Sequence, residues 1–142
     1  MSKHIASARW DGNLVKGNGS YVLKTSGYKG SYKFSSRFEE DKNASSPEEL
    51  IGAAHASCFS MAFAHDLDQS GYKPESVETE AEVTLSKTDD GFSISGILLK
   101  SRVKVTGIEK DAFSEIANNS KENCPVSKAL KGVNISLQAE LL

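Results

Sequence analysis

The stretch PEELIGAAHASCFSMAFA, residues 47–64, is the strongest helix signal in the sequence and contains its longest apolar run. Ser46 suits the N-cap, Pro47 suits the first helical position, and Gly71 suits the C-terminal stop. These signals predict a helix over residues 46–71. Because no polar face interrupts the apolar residues for several turns, the helix should be buried on every side.

Patterns typical of short strands lie on both sides of this helix. Residues 1–40 predict a β-meander with a turn at Asp11-Gly12 and a third strand that ends near Arg37. Residues 76–142 predict two alternating strands with a bulge near Gly96, then two short helices and a terminal strand. The order of elements predicts an α+β fold, with antiparallel sheets packed around the buried central helix.

The composition places limits on the class of protein. A chain of 142 residues is long enough for one domain, residues 1–142, that buries about two thirds of its unfolded surface. Its net charge of −2 provides no basic surface for nucleic acid and no polybasic patch for a membrane. The start, MSKHIASARWDGN, lacks the apolar core of a signal peptide. We therefore expect a cytoplasmic protein, whose thiols are kept reduced.

The predicted central helix also has consequences for assembly. A helix that is apolar on every side is difficult to cover with six short strands and two short helices. An intertwined homodimer, in which the two long helices pack on each other, would cover it, and the alanines and serines of the helix allow close approach. We therefore predict a homodimer, and a stable, active monomer in light scattering would count against it.

The chain has two cysteines, Cys58 in the long helix and Cys124 in the segment ENCPVSKAL. Thiolates react and thiols largely do not, so the local pKa decides which cysteine is reactive. Cys124 precedes Pro125 at a helix start, where the macrodipole favours an anion, and apolar surroundings should disfavour the thiolate of Cys58. Local physics thus favours Cys124 as the nucleophile. Alternatively, Cys58 is a small buried hydrophobe and Cys124 a weak N-cap.

The segments RFE, PEELIGAAHASCFSM and CPVSKAL stand in the order and spacing of the OsmC/Ohr family. That family comprises osmotically inducible protein C and the organic hydroperoxide resistance proteins. The resemblance runs from RWDGN near the start to the terminal strand, and AAHASCFSMA with CPVSK resembles the OsmC branch. It implies a peroxidase without metal, haem or flavin, which reduces organic hydroperoxides to alcohols in defence against oxidative or osmotic stress.

The resemblance also implies roles for four residues. Cys58 matches the peroxidatic cysteine, which becomes a sulfenic acid, and Cys124 matches the resolving cysteine, which condenses with it to a disulfide. An external dithiol would then restore both thiols. Arg37 matches the arginine that holds the thiolate and polarises the departing oxygen, and Glu48 matches the glutamate that orients this arginine. The resemblance therefore reverses the ranking of the cysteines that local physics gives.

Simpler explanations exist for the two charged residues. Arg37 could be a solvated charge at a strand end, and Glu48 is favoured in the first turn of any helix. Spacing adds an expectation, because Glu48 and Cys58 lie ten residues apart, which is about 15 Å along a straight helix. One guanidinium can hardly contact both. The glutamate that serves each cysteine would then come from the partner chain, with the active sites at the dimer interface.

His55 lies three residues before Cys58, on nearly the same face of the helix. It is a candidate base, although a core histidine with satisfied hydrogen bonds is the simpler interpretation. A metal site built from His55, His65 and the two cysteines would lack the paired spacing of zinc motifs, so we expect no metal.

Two functions other than a peroxidase remain open. In a binding module or redox sensor the thiol pair would oxidise once, without an efficient reductant, and in a structural, non-catalytic stress protein the cysteines would only pack. Multiple turnover with a dithiol would distinguish an enzyme from both. Three apolar residues beside Cys58 are expected in the core, some of them also lining a pocket that favours organic hydroperoxides over hydrogen peroxide: Phe59, Met61 and Phe63.

Overall fold

The computed structural model describes all 142 residues of the chain. Six strands and four helices follow one another as β1 (Ala6–Asp11), β2 (Asn18–Leu23), β3 (Tyr28–Tyr32), α1 (Phe34–Phe38), α2 (Pro47–Gln69), β4 (Pro74–Thr88), β5 (Gly91–Val105), α3 (Lys110–Asn123), α4 (Pro125–Ala129) and β6 (Asn134–Leu141). They cluster into two compact units, residues 1–50 and 51–142, each with a three-stranded sheet. The α+β class is confirmed, and the single domain over residues 1–142 stays a prediction.

The first unit contains an antiparallel sheet in the order β1-β2-β3. Its first hairpin is longer than the turn dipeptide Asp11-Gly12 suggests. Strand pairing closes with Asp11 opposite Asn18, so residues 12–17 form the loop. Gly12 has a φ of 95°, which glycine adopts easily. Asn13 stabilises the loop, because its carbonyl and side-chain oxygens accept hydrogen bonds from two loop backbone groups.

Arg37 lies on the short helix α1, which corrects the prediction that it ends a strand. The Lys33 N–H donates to Ser36 Oγ at 3.0 Å at the start of α1. The rings of Phe34 and Phe38 then pack one turn apart, with centroids separated by 4.8 Å. Aromatic residues favour strands by composition, but this spacing of four residues places the two rings on one helix face.

Helix α2 begins and ends where the sequence signals predict. Ser46 Oγ accepts the N–H of Glu49 at 3.1 Å, which is an N-cap hydrogen bond. At the other end Gly71 has a φ of 89°, and the Tyr72 N–H donates to the Leu67 carbonyl at 3.0 Å. This pattern is a Schellman C-terminus. None of the four helices combines the length and the apolar composition that crossing a bilayer requires.

Within one chain α2 is buried on one face only, so a single chain does not provide the predicted burial on every side. The buried positions of its part in the second unit recur every three or four residues: Gly52, His55, Phe59, Phe63 and Leu67. On the opposite face Met61 is 75% exposed, and Ala53, Ala54 and Ser57 are exposed as well. Small apolar residues occupy the exposed face, so composition does not distinguish the two faces, and burial on every side stays a prediction for the homodimer.

The second unit contains the sheet β4-β5-β6. β4 and β5 form the predicted antiparallel pair, and a register shift between Thr84 and Leu85, opposite Gly96, confirms the bulge. β6 pairs with β5 in parallel, with Ile135 opposite Ile97. The expectation of antiparallel sheets is therefore wrong for β6. Two helices join β5 to β6, and a connection of that length allows the next strand to run in the same direction.

The buried face of α2 packs on both the sheet and α3 in this unit. The ring of Phe63 contacts that of Phe113 on α3, with centroids 5.4 Å apart. Ser60 Oγ donates to Thr79 Oγ1 on β4 at 2.8 Å. A Cβ on Gly52 would lie 3.3 Å from a β4 carbonyl oxygen, so glycine permits this close approach. This packing fixes the part of α2 that carries Cys58.

Candidate active site

The structure brings the two cysteines together. Cys58 lies on α2 and Cys124 is the N-cap of α4, and the Cys124 thiol donates to Cys58 Sγ across 3.0 Å. Both are free thiols. A disulfide joins sulfur atoms about 2.05 Å apart, so a movement of about 1 Å would bring these two within bonding distance.

Cys124 owes its position to the junction between α3 and α4. Its N–H donates to the Ser120 carbonyl at 2.9 Å, and its carbonyl accepts the Lys128 N–H at 3.0 Å. Pro125 disfavours a helical conformation at the preceding residue and lacks an N–H, so α3 ends and a new helix begins. The Cys124 side chain makes no capping hydrogen bond. Cys124 therefore occupies the N-cap position, as the weak N-cap interpretation predicts. Its side chain does not cap the helix, so that part of the interpretation is wrong.

The two thiols differ in exposure and in surroundings. Cys124 is completely buried, whereas Cys58 is half-buried. Burial raises the pKa of the Cys58 thiol, the adjacent Cys124 thiol raises it further, and the Val126 backbone N–H opposes this by a smaller effect. In these surroundings Cys58 is mainly protonated at neutral pH. A reactive thiolate at this position needs an additional positive charge.

Arg37 and Glu48 form an ion pair in the first unit. Arg37 Nε and Nη2 both donate to Glu48 Oε1, at 2.9 and 2.7 Å. The Glu48 side chain is 9% exposed and that of Arg37 is 37% exposed, so a buried carboxylate holds an accessible guanidinium. The guanidinium carbon also lies 5.3 Å from the centroid of the Phe38 ring. Since a guanidinium has five N–H donors, three remain for another acceptor.

The four candidate residues thus form two pairs, one in each compact unit. Arg37 is not merely a solvated charge, because its guanidinium is paired with Glu48 and packed on the ring of Phe38. Glu48 lies in the first turn of α2, as helix propensity favours, and has a specific partner there as well. The catalytic roles of all four remain predictions. No cluster of three or more His, Cys, Asp or Glu side chains in the structure could hold a metal ion.

An apolar cavity of about 400 Å³ lies beside Arg37. Besides Arg37 itself, its walls include the side chains of Trp10, Leu14, Tyr32, Phe34 and Phe38. The predicted pocket residues of α2 lie elsewhere, since Phe59 and Phe63 belong to the closed core and Met61 faces outward. The aromatic residues on both sides of Arg37 in the sequence are the signal that could have located this cavity.

His55 is completely buried and bonded through Nε2 to Ser127 Oγ, 2.8 Å away. Its Nδ1 is buried without a hydrogen-bond partner. His55 is therefore a core histidine, as predicted, but only Nε2 has a hydrogen-bond partner. The prediction that its hydrogen bonds are satisfied is wrong for Nδ1. The sequence did not single out Ser127, although its offset of three residues from Cys124 matches that of His55 from Cys58.

Acidification is expected to destabilise the protein through His55. Burial lowers the pKa of His55 below its ordinary value of 6.5. In the unfolded chain this ring protonates as the pH falls through about 6.5, whereas in the folded protein it does so only at lower pH. The unfolded state then binds more protons, so the free energy of unfolding decreases as the pH falls below about 6.5. Urea unfolding as a function of pH measures this decrease.

Two variants of α2 show whether His55 causes the effect. His55→Gln cannot gain the charge, so its stability should depend less on pH. His65→Gln replaces an exposed histidine of the same helix and should retain the wild-type dependence. An identical pH dependence in the wild type and in His55→Gln would contradict the prediction.

Two thiols in contact can be oxidised together to a disulfide, which is the chemistry of thiol-dependent redox proteins. A family model described as OsmC-like protein matches residues 39–138. The chain is 46% identical over 136 residues to Peroxiredoxin OsmC of Escherichia coli (strain K12), covering 94% of this chain and 93% of that protein. The chain belongs to the OsmC family, which confirms the resemblance found in the sequence.

Relatives of the hydroperoxide resistance branch are more distant. The organic hydroperoxide resistance protein OhrB of Bacillus subtilis (strain 168) is 32% identical over 105 residues, covering 72% of this chain and 74% of that protein. The crystal structure of an organic hydroperoxide resistance protein OsmC from Legionella pneumophila has a TM-score of 0.72 and 24% identity, over 99% of both chains. This likeness supports the fold alone.

Proposed function

We propose that this protein is a cysteine-dependent peroxidase that reduces organic hydroperoxides to alcohols in defence against oxidative or osmotic stress. The observation that carries the proposal is the 3.0 Å contact between an accessible thiol and a buried one. Two such thiols can give two electrons to a peroxide and end as a disulfide. The names of the relatives, Peroxiredoxin OsmC and organic hydroperoxide resistance protein, support the same chemistry.

The reaction begins at Cys58, because this is the thiol that a substrate can reach. Its thiolate attacks the O–O bond of the hydroperoxide, so that an S–O bond forms and the O–O bond breaks. The alkoxide leaves and takes up a proton to become the alcohol, and Cys58 becomes a sulfenic acid. Cys124 is completely buried and closed to the substrate. Exposure therefore supports the ranking implied by the family over the ranking from local physics.

Cys124 resolves the sulfenic acid. Its sulfur forms the S–S bond, the S–O bond of Cys58 breaks, and the oxygen leaves as water. An external dithiol then reduces the disulfide by thiol–disulfide exchange, which restores both thiols. The scheme uses no metal, haem or flavin. It also suits a compartment that keeps thiols reduced, and the cytoplasmic location inferred from the sequence remains a prediction.

Arg37 supplies the positive charge that Cys58 needs. Its guanidinium is permanently charged, Glu48 fixes its orientation, and its free N–H donors can stabilise both the thiolate and the departing oxygen. The cavity beside Arg37 is mainly apolar and suits the hydrocarbon part of an organic hydroperoxide better than hydrogen peroxide. The apolar cavity therefore favours organic hydroperoxides as the substrate class.

The active form is a homodimer. The exposed face of α2 carries Met61 and small residues, and packing it against a second copy would remove apolar surface from water. Arg37 and Glu48 pair within one chain. If the glutamate of one chain serves the cysteine of the other, the arginine of that same chain therefore serves it too. This adds Arg37 to the expectation, drawn from spacing, that the glutamate comes from the partner chain.

Mixed dimers test whether the ion pair serves the partner chain. Glu48→Ala and Cys58→Ser chains are each expected to be nearly inactive as homodimers. After random subunit exchange, dimers of the two chains would contain one intact site, and about a quarter of the wild-type activity should return. Cys58→Ser mixed with Cys124→Ser is the matched control and should recover no disulfide formation, because these cysteines meet within one chain. Failure of the first mixture to recover would favour a site within one chain.

Multiple turnover tests the proposed function itself. With dithiothreitol as reductant, the protein should consume many equivalents of cumene hydroperoxide per Cys58, and consume it faster than hydrogen peroxide. A single stoichiometric oxidation would contradict the enzyme and favour a redox sensor. Thiols that do not react with either peroxide would favour a structural role.

A further inference from the structure

Two side-chain contacts, one helical turn apart, join α2 to α4. Cys58 contacts Cys124 at 3.0 Å, and His55 contacts Ser127 at 2.8 Å. On each segment the two residues lie three positions apart but in opposite order, since His55 precedes Cys58 whereas Ser127 follows Cys124. The two contacts are therefore neighbouring links between antiparallel segments.

Ser127 is one of the residues that hold α4 in place, beside Val126 and Leu130, which pack against the core. α4 has five residues, too few to be a stable helix without packing. Ser127 is its only buried residue, 6% exposed, and its hydroxyl contacts the completely buried ring of His55. Because Cys124 is the N-cap of α4, any movement of this helix also moves the Cys124 sulfur.

The contact with Ser127 is the only hydrogen bond of the His55 ring, because Nδ1 has no partner. Removal of the Ser127 hydroxyl would leave the whole ring buried without a hydrogen bond. A buried polar group without a partner is costly, so the native protein gains stability when Ser127 stays against His55. The contact therefore favours the position of α4 in which its N-terminal end lies against α2.

We propose that His55 and Ser127 are positioning residues that keep Cys124 within reach of the oxidised Cys58, an inference that rests on the proposed peroxidase function. In the resolving step the S–S bond forms, the S–O bond breaks, and the oxygen leaves with the thiol proton as water. The Cys124 sulfur is oxidised and the Cys58 sulfur is reduced.

A second hydroperoxide competes with this step. It transfers one oxygen to the sulfenic acid, which becomes a sulfinic acid, and it leaves as the alcohol. The sulfinic acid cannot be restored by a dithiol. Faster resolution therefore preserves the enzyme, and positioning of Cys124 sets how quickly resolution occurs.

Another buried serine provides a matched control. Ser120, on α3, is completely buried and donates to Asp66 on α2 at 2.6 Å. It lies four residues before Cys124 and also bonds to the carbonyl of Ile116 in its own helix, at 2.9 Å. Ser120→Ala also removes a buried serine hydroxyl that contacts α2, but it leaves the hydrogen bond between His55 and Ser127 intact.

The test follows one oxidation of the reduced, full-length chain by one equivalent of cumene hydroperoxide. Samples are quenched with a thiol-alkylating reagent and analysed by intact mass. Ser127→Ala should convert sulfenic acid to the disulfide about tenfold more slowly, whereas the formation of sulfenic acid should change much less. With excess peroxide it should accumulate more sulfinic acid. Ser127→Thr keeps the hydroxyl and should restore much of the rate, and Ser120→Ala should resemble the wild type.

Several outcomes would overturn the positioning role. Disulfide formation at the wild-type rate in Ser127→Ala would do so, and so would equal slowing in Ser120→Ala, because a general loss of packing would then explain the effect. If Ser127→Ala does not fold, His55→Leu removes the same hydrogen bond from the other side and should also slow mainly the second step. Absence of both sulfenic acid and disulfide in the wild type would instead contradict the proposed function, and this inference with it.

Discussion

Replacement of Cys58 by serine is expected to abolish the turnover of organic hydroperoxides, with a loss of at least about 10⁴-fold. A serine hydroxyl does not ionise near neutral pH and does not attack the O–O bond, whereas the thiolate does. Peroxide consumption in the presence of dithiothreitol measures the loss. The substitution replaces one atom at a half-buried position, so the fold should tolerate it.

Cys124→Ser is the matched variant, because it removes the other sulfur of the same contact. It should keep the first reaction at nearly the wild-type rate and then accumulate Cys58 as sulfenic acid, which overoxidises more readily. Turnover that survives in Cys58→Ser and disappears in Cys124→Ser would place the first attack at Cys124. That result would restore the ranking that the helix start alone suggests.

Arg37→Ala is expected to have the second largest effect, slowing the oxidation of Cys58 at neutral pH by about 10²-fold or more. Burial raises the pKa of the Cys58 thiol, and the rate follows the fraction of thiolate. Without the guanidinium, the pH at which the rate reaches half its maximum should move upward. Single-turnover rates measured as a function of pH determine this midpoint.

The shape of the pH profile separates two contributions of Arg37. If the guanidinium only stabilises the thiolate, the rates of variant and wild type converge at high pH, where the thiol ionises in both. A difference that persists there measures its action on the departing oxygen. Arg9→Ala is the matched control in the same unit, because Arg9 also pairs with a carboxylate, Asp11, at 2.7 Å, but is exposed. It should leave the profile unchanged.

Arg37→Ala also leaves the buried Glu48 carboxylate without its partner, and an unpaired buried charge destabilises the fold. The double variant Arg37→Ala/Glu48→Gln removes that charge. It should remain as slow as Arg37→Ala, since the guanidinium is still absent. Recovery of the wild-type rate in the double variant would contradict a role for Arg37 in the chemistry.

Features that depend on a few neighbouring residues were predictable from the sequence. The ends of α2 follow from Ser46 and Gly71, because capping acts within a single turn. The bulge at Gly96 follows from a break in alternation. The exposed face of α2 and the direction of β6 were not predictable in this way. Alanine and methionine do not reveal which face is covered, and strand direction depends on the path of the intervening helices.

The contacts within the candidate site were likewise not predictable from neighbouring residues. Sixty-six positions separate Cys58 from Cys124, so no local pattern could pair them, and only the resemblance to a family did so. Local physics favoured Cys124 as the nucleophile, but the fold buries it completely. The partner of Glu48 and the contact between His55 and Ser127 likewise join residues from different elements. Such contacts are consequences of tertiary packing.

The position of the first transferred oxygen tests the central claim most directly. Reduced Cys124→Ser and Cys58→Ser proteins are each treated with one equivalent of cumene hydroperoxide in the presence of dimedone, which traps sulfenic acids, and then digested for mass spectrometry. We expect a stoichiometric adduct on Cys58 in the Cys124→Ser protein and almost none on Cys124 in the Cys58→Ser protein. A rapid, stoichiometric adduct on Cys124, with Cys58 unmodified in the other variant, would contradict the assignment of Cys58 as the residue that reduces the peroxide.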